Sequence, residues 1–135
     1  MKRKSLALFA AAAAFFFLGV QDAAAHETKL GVTKLLNTPL DGIAGQEANV
    51  VLFVVAPGWT IANHFHPGHI FVYMLQGSIK IEVEGEPAHV IGPGDVLHEL
   101  PGRNMVANNI SSTKGARFLV FQVGEIGKPV TVFVE

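Results

Sequence analysis

Two histidines one residue apart, His64 and His66, sit inside a stretch bounded by Gly58 and Gly77. On a strand, side chains two residues apart project to the same face, so both imidazoles can converge on one ion. Neutral imidazole suits zinc, copper, iron and nickel. The same pair could instead line a wet, metal-free polar pocket. Three further histidines bear on the question. If the strand keeps its period past Pro67 and Gly68, Ile70 faces inward and His69 outward; a bulge at the turn reverses this. One of His98 and Glu99 faces the interior and the other faces solvent. An inward Glu99 could act as a general base or hold an imidazole in orientation. His89 reads as a surface residue. Tyr73 is a candidate pocket wall, as are Trp59 and Phe65.

The elements that must carry these residues read as strands. The runs 50–55, 59–66, 70–75, 79–83, 88–91, 96–100, 104–108, 117–123 and 130–134 are rich in β-branched and aromatic residues. Turn signals recur about every eight to twelve residues, and no segment has a 3.6-residue period, which predicts an all-β sandwich or small barrel. The stretch 28–36 predicts an edge strand, and 37–39 a loop. The run 50–55 predicts a strand buried on both faces.

Composition removes other classes. The chain has 135 residues, no cysteine and a formal net charge of -1. Without cysteine there is no disulfide scaffold, zinc finger or thiol catalysis. Near-neutral charge without a basic cluster beyond the first four residues argues against a nucleic-acid partner. No Ser/His/Asp triad is evident. Gly92-Pro93-Gly94-Asp95 reads as a turn rather than a phosphate loop, because no helical pattern follows it.

Residues 1–25 have the three parts of a secretory signal: the basic Lys2, Arg3 and Lys4, an apolar run over 6–20, and the small residues Ala23, Ala24 and Ala25. The run is shorter than the roughly 20 residues that span a bilayer. Cleavage after Ala25 leaves a single domain, 26–135, with no stable membrane anchor and a periplasmic or secreted location. His26 then becomes the first residue, where its amine and ring could chelate copper.

Gly58, His64, His66 and Gly77 fall at the spacing of the first cupin motif, G-x5-H-x-H-x3,4-E-x6-G. The stretch from Gly92 through Pro101 and Gly102 to Asn109 resembles the second motif, P-x-G-x2-H-x3-N, with one residue missing after Pro101. The region 50–134 thus resembles a small single-domain cupin. The resemblance implies a jelly-roll-like antiparallel β-barrel, a divalent metal inside it, a small molecule in the cavity, and a homodimer. It also implies four metal ligands, two histidines and a glutamate from the first motif and a histidine from the second. Here the glutamate position holds Ile70 and the second histidine position holds Met105. His64 and His66 are therefore the expected ligands, with Met105, His69 and His98 as further candidates and Ile70, Tyr73 and Glu99 around the pocket.

Three readings follow. One is an exported cupin that binds iron, zinc, nickel or copper, with oxidoreductase chemistry on a small molecule open to it. Another is a non-catalytic small-ligand-binding cupin with a degenerate metal site, favoured by the apolar Ile70 and Met105. The third is a periplasmic copper-handling protein, because a methionine thioether favours Cu(I) over hard ions. In the second reading Met105 is simply core filler.

Overall fold

The computed structural model describes residues 31–135. The export signal and His26 therefore lie outside the described residues. Ten strands follow one another: β1 (Gly31–Pro39), β2 (Gln46–Val55), β3 (Thr60–Phe65), β4 (His69–Gln76), β5 (Ile79–Val83), β6 (His89–Ile91), β7 (Val96–Glu99), β8 (Met105–Asn109), β9 (Ala116–Glu125) and β10 (Val132–Phe133). They form two five-stranded sheets, ordered β1-β2-β9-β4-β7 and β10-β3-β8-β5-β6, with antiparallel pairing in both. This is the jelly-roll-like architecture expected from the sequence.

The period of two decides what lies between the sheets. In β4, Ile70, Val72 and Met74 point inward while His69, Phe71, Tyr73 and Leu75 point out. In β5, Ile79 and Ile81 point inward. Ile70, Met74, Ile79 and Ile81 are the largest fully buried side chains. Burial of each stabilises the fold by about 1.5–3 kcal/mol. Phe53 stacks on Phe118 with ring centroids 5.0 Å apart, and Trp59 leans against the same ring at 6.1 Å.

Three local expectations are corrected. Residues 37–39 continue β1 rather than looping, because Asn37, Thr38 and Pro39 pair with Asn49, Ala48 and Glu47. Pro39 is tolerated there because β1 is an edge strand. The strand containing 50–55 is not buried on both faces: β2 alternates between buried and half-buried positions. The last run narrows to Val132 and Phe133.

Gly68 sets how the histidine pair meets β4. A Cβ at this position would collide with the Val123 carbonyl oxygen and lie 2.8 Å from the Gly124 Cα. Both are backbone atoms of β9, the neighbour of β4, and cannot swing aside. Gly68→Ala is expected to destabilise the domain by about 1–3 kcal/mol, the usual range for overpacking. A thermal melt should show the midpoint falling by about 4–8 °C for each kcal/mol lost.

Candidate functional site

His64 is carried by β3, and His66 follows one residue beyond its end at Phe65. Both are buried. The Nδ1 of His64 lies 2.7 Å from the Ala62 carbonyl oxygen, and the Nδ1 of His66 lies 2.6 Å from that of Val130. A carbonyl only accepts, so each Nδ1 carries the proton and donates it. That fixes the tautomer in which Nε2 keeps its lone pair, the form that binds a metal or accepts a proton. The two rings are 4.9 Å apart and nearly perpendicular.

Glu99 supplies a carboxylate. It is buried at the end of β7, and its Oε2 lies 3.3 Å from the His66 Nε2. In the β4/β7 register Glu99 stands directly opposite Ile70. The carboxylate thus enters one strand away from the position where the first motif puts its glutamate. A carboxylate oxygen and an Nε2 lone pair repel each other unless a proton or another cation lies between them. Among the described residues, no group of three or more His, Asp or Glu side chains closes around a single point as metal ligands do. The donors suit a transition metal in type, and they stand as two imidazoles with a carboxylate paired to one of them.

Behind His66 lies a buried polar chain. The Nδ2 of Asn49 donates to the Glu47 Oε1 and the Gln122 Oε1, each at 3.2 Å. The Nε2 of Gln122 donates to the same Val130 carbonyl that accepts from His66, at 3.5 Å. Hydrogen bonds from Asn37 and then Asn49 hold the Glu47 carboxyl below the ordinary range. Asn49, Gln122 and Ile70 share one inward row of the first sheet. The sequence reading missed Asn49 and Gln122. Their signal was a polar residue on the buried phase of strands otherwise apolar.

Burial lowers the pKa of His64 from its ordinary 6.5, with the nearby His66 acting the same way and the Ala62 carbonyl and Glu99 opposing. The unfolded chain therefore takes up the proton first as pH falls. The stability associated with neutral His64 is full above about 6.5 and is lost as pH drops through the folded value. Urea unfolding at pH 8 and pH 5 should show a larger loss in the parent than in His64→Gln, which has no proton to gain.

His64, His66 and Glu99 line a cavity of about 50 Å³ together with Ile70, Phe53 and Trp59. It has room for a few water molecules or an ion with its water. A groove of about 540 Å³ shares Phe53, Trp59, Ile61 and Thr131 with it as walls.

The other candidates are placed differently. Tyr73, expected at the pocket, is exposed on the outer face of the first sheet. His69 and His98 also lie on that face, where the His69 Nδ1 and His98 Nε2 are 2.9 Å apart. The sheet separates them from His64 and His66, so they cannot complete that site. Met105 is buried and directly opposite His64 in the β3/β8 register, but it is not a wall of the cavity. His89 lies near Glu86 at 3.8 Å.

The cupin domain family matches residues 51–121, more than half of the chain. The chain is a cupin. No curated protein matches it. Among solved structures it is similar to an RmlC-like cupin family protein with a double-stranded β-helix fold from Methanocaldococcus jannaschii, at 17% identity over 75% of this chain and 85% of that one, TM-score 0.62. It is also similar to the DMSP lyase DddQ from Ruegeria pomeroyi, at 21% identity over 86% and 57%, TM-score 0.60. A third is the polyketide cyclase RemF from Streptomyces resistomycificus, at 27% identity over 77% and 71%, TM-score 0.58. At the positions that resemble the first cupin motif, this cupin has His64 and His66, and it carries Ile70 where the motif has glutamate.

Proposed function

We propose that this cupin is an exported protein, 26–135 after loss of its signal, that holds a transition metal ion through the Nε2 atoms of His64 and His66. In this reading Glu99 provides the carboxylate that Ile70 cannot, and a small molecule occupies the adjoining groove. The carrying observation is that both Nδ1 atoms are committed to backbone carbonyls while both histidines and Glu99 line one cavity. Iron, zinc, nickel and copper all suit this donor set. A bound ion supplies Lewis acidity or redox chemistry. The chain's own residues do the rest. Glu99 accepts or returns a proton, Val130 and Gln122 orient His66, and Phe53 and Trp59 exclude water from the reacting end of a ligand. Similarity to a polyketide cyclase supports a small organic ligand. A second copy of this chain is the one macromolecular partner in this reading.

A second reading is a non-catalytic binding cupin. The apolar lining and the absence of a closed three-ligand set among the described residues favour it. The copper-handling reading needs Met105 as a ligand and has no cavity contact to support it.

The test is to produce the full chain without chelators, expose it to a mixture of the four metals, and quantify bound metal by mass spectrometry. One equivalent per chain is expected. Absence of stoichiometric metal overturns the first reading and leaves the second.

A further inference from the structure

We propose that Glu47 is a positioning residue for His66. Its carboxylate sets the direction of each hydrogen bond along Asn49, Gln122 and the Val130 carbonyl, and so keeps the His66 Nε2 free for an ion. This rests on the metal-site reading above and deepens it by giving the far end of the buried chain a role.

An amide side chain can present its oxygen or its NH2 group, and the two orientations have nearly the same shape. An ionised carboxylate only accepts. Glu47 is buried, and its bonds from Asn37 and then Asn49 favour the ionised form. Asn49 must therefore turn its NH2 group toward Glu47, 3.2 Å away. Its Oδ1 is then left to accept from the Asn37 Nδ2 at 2.8 Å. The second hydrogen of the Asn49 Nδ2 goes to the Gln122 Oε1 at 3.2 Å. Gln122 is left with its own NH2 group toward the Val130 carbonyl, 3.5 Å away. Each link dictates the next, and the carboxylate is the one member that cannot reverse. Asn49 and Gln122 are only 3% and 2% exposed, so water cannot satisfy a reversed amide.

Direction matters at the near end because His66 lies between two acceptors. Its Nδ1 is 2.6 Å from the Val130 carbonyl oxygen, and its Nε2 is 3.3 Å from the Glu99 Oε2. A neutral imidazole has one proton to give. On Nδ1 it serves Val130 and leaves Nε2 able to bind a metal. On Nε2 it serves Glu99 and closes that position. Val130 lies outside the strands, between β9 and β10, so the side chains that donate to its carbonyl place it. A reversed Gln122 turns an oxygen toward that carbonyl, and two acceptors repel. The carbonyl then withdraws from His66, and the proton passes to the Glu99 side. His64 has no such dependence, because its Nδ1 donates to Ala62, two residues away on its own strand.

The test uses the full chain, labelled with 15N in its histidine rings, at pH 8. Nuclear magnetic resonance on the metal-free parent should show both His64 and His66 protonated on Nδ1. Glu47→Gln can offer Asn49 either of its groups. It should shift the His66 proton toward Nε2, leave His64 unchanged, and lower zinc affinity about 10–100-fold. Glu47→Asp keeps the acceptor and should keep the parent tautomer. Gln122→Met, of similar size but without an amide, should reproduce the His66 shift with Glu47 intact. Combining it with Glu47→Gln should cost less affinity than the product of the two separate losses, as expected within one network. An unshifted His66 in Gln122→Met or Glu47→Gln overturns the proposal, and so do two losses that simply multiply. A parent with both protons on Nδ1 that binds no zinc overturns the metal reading and leaves Glu47 as the residue that sets the tautomer.

Discussion

Replacing His64 and His66 together by alanine is expected to abolish stoichiometric metal binding while the two-sheet fold survives. Both side chains are required because the cavity has no other imidazole on its walls. Free energies of binding at closed zinc sites reach about 10 kcal/mol or more, and most of that rests on directly coordinating groups. The structural cost is smaller. Ala62 is exposed, so water can replace the His64 proton at its carbonyl. The Val130 carbonyl keeps its bond from Gln122. The larger penalty falls on Glu99, which stays buried and loses the imidazole that stands 3.3 Å from its carboxylate. Adding Glu99→Gln to the double variant should recover much of that stability without restoring metal. Glu99→Gln alone should lower metal affinity by at least about 10–100-fold. Metal analysis and thermal melts on the same samples separate the two effects. Full metal occupancy in the double alanine variant would sink the assignment of the site.

The second large effect is expected from Ile70→Glu, which restores the residue that the first cupin motif leads one to expect. Ile70 has no exposed surface and stands directly opposite Glu99. A second carboxylate there is desolvated and faces a like charge. The metal-free protein should lose about 3–5 kcal/mol, or about 12–40 °C in midpoint for a domain of this size. Zinc should return a large part of that loss, because an ion between carboxylates and imidazoles removes the repulsion. Ile70→Glu with Glu99→Leu moves the carboxylate back across the strand pair and should be more stable than Ile70→Glu alone. Thermal melts with and without zinc decide this. An Ile70→Glu protein as stable as the parent without metal would show that the cavity is wetter than its lining implies.

The histidine pair was legible because its meaning is local: a residue on β3 and one just past its end, framed by glycines, need only that the period of two runs on. The same rule correctly turned Ile70 inward and His69 outward. Counting on from Ile70 also turns Tyr73 outward, so its placement at the pocket set aside a signal that was present. Glu99 was legible only as one of a pair. Its contact with His66 depends on which strand lies beside β4 and in what register, and no local pattern states that. The Gln122–Val130–His66 connection is equally non-local, joining side chains through a carbonyl that a sequence reading does not see. At 37–39 the turn chemistry of Asn37 and Pro39 pointed to a loop, but pairing with β2 outweighed it.

The contact between His66 and Glu99 has a mechanical consequence. His66 follows β3 of one sheet, whereas Glu99 ends β7 of the other. An ion shared by them would rivet the two layers, and unfolding must separate those layers. Ligand at a thousand times its dissociation constant adds about 4 kcal/mol. If the rivet forms after the folding barrier, most of that gain appears as slower unfolding. Such a domain would have a lifetime set by the ion supply of its compartment, long where the metal is plentiful and short where it is withheld.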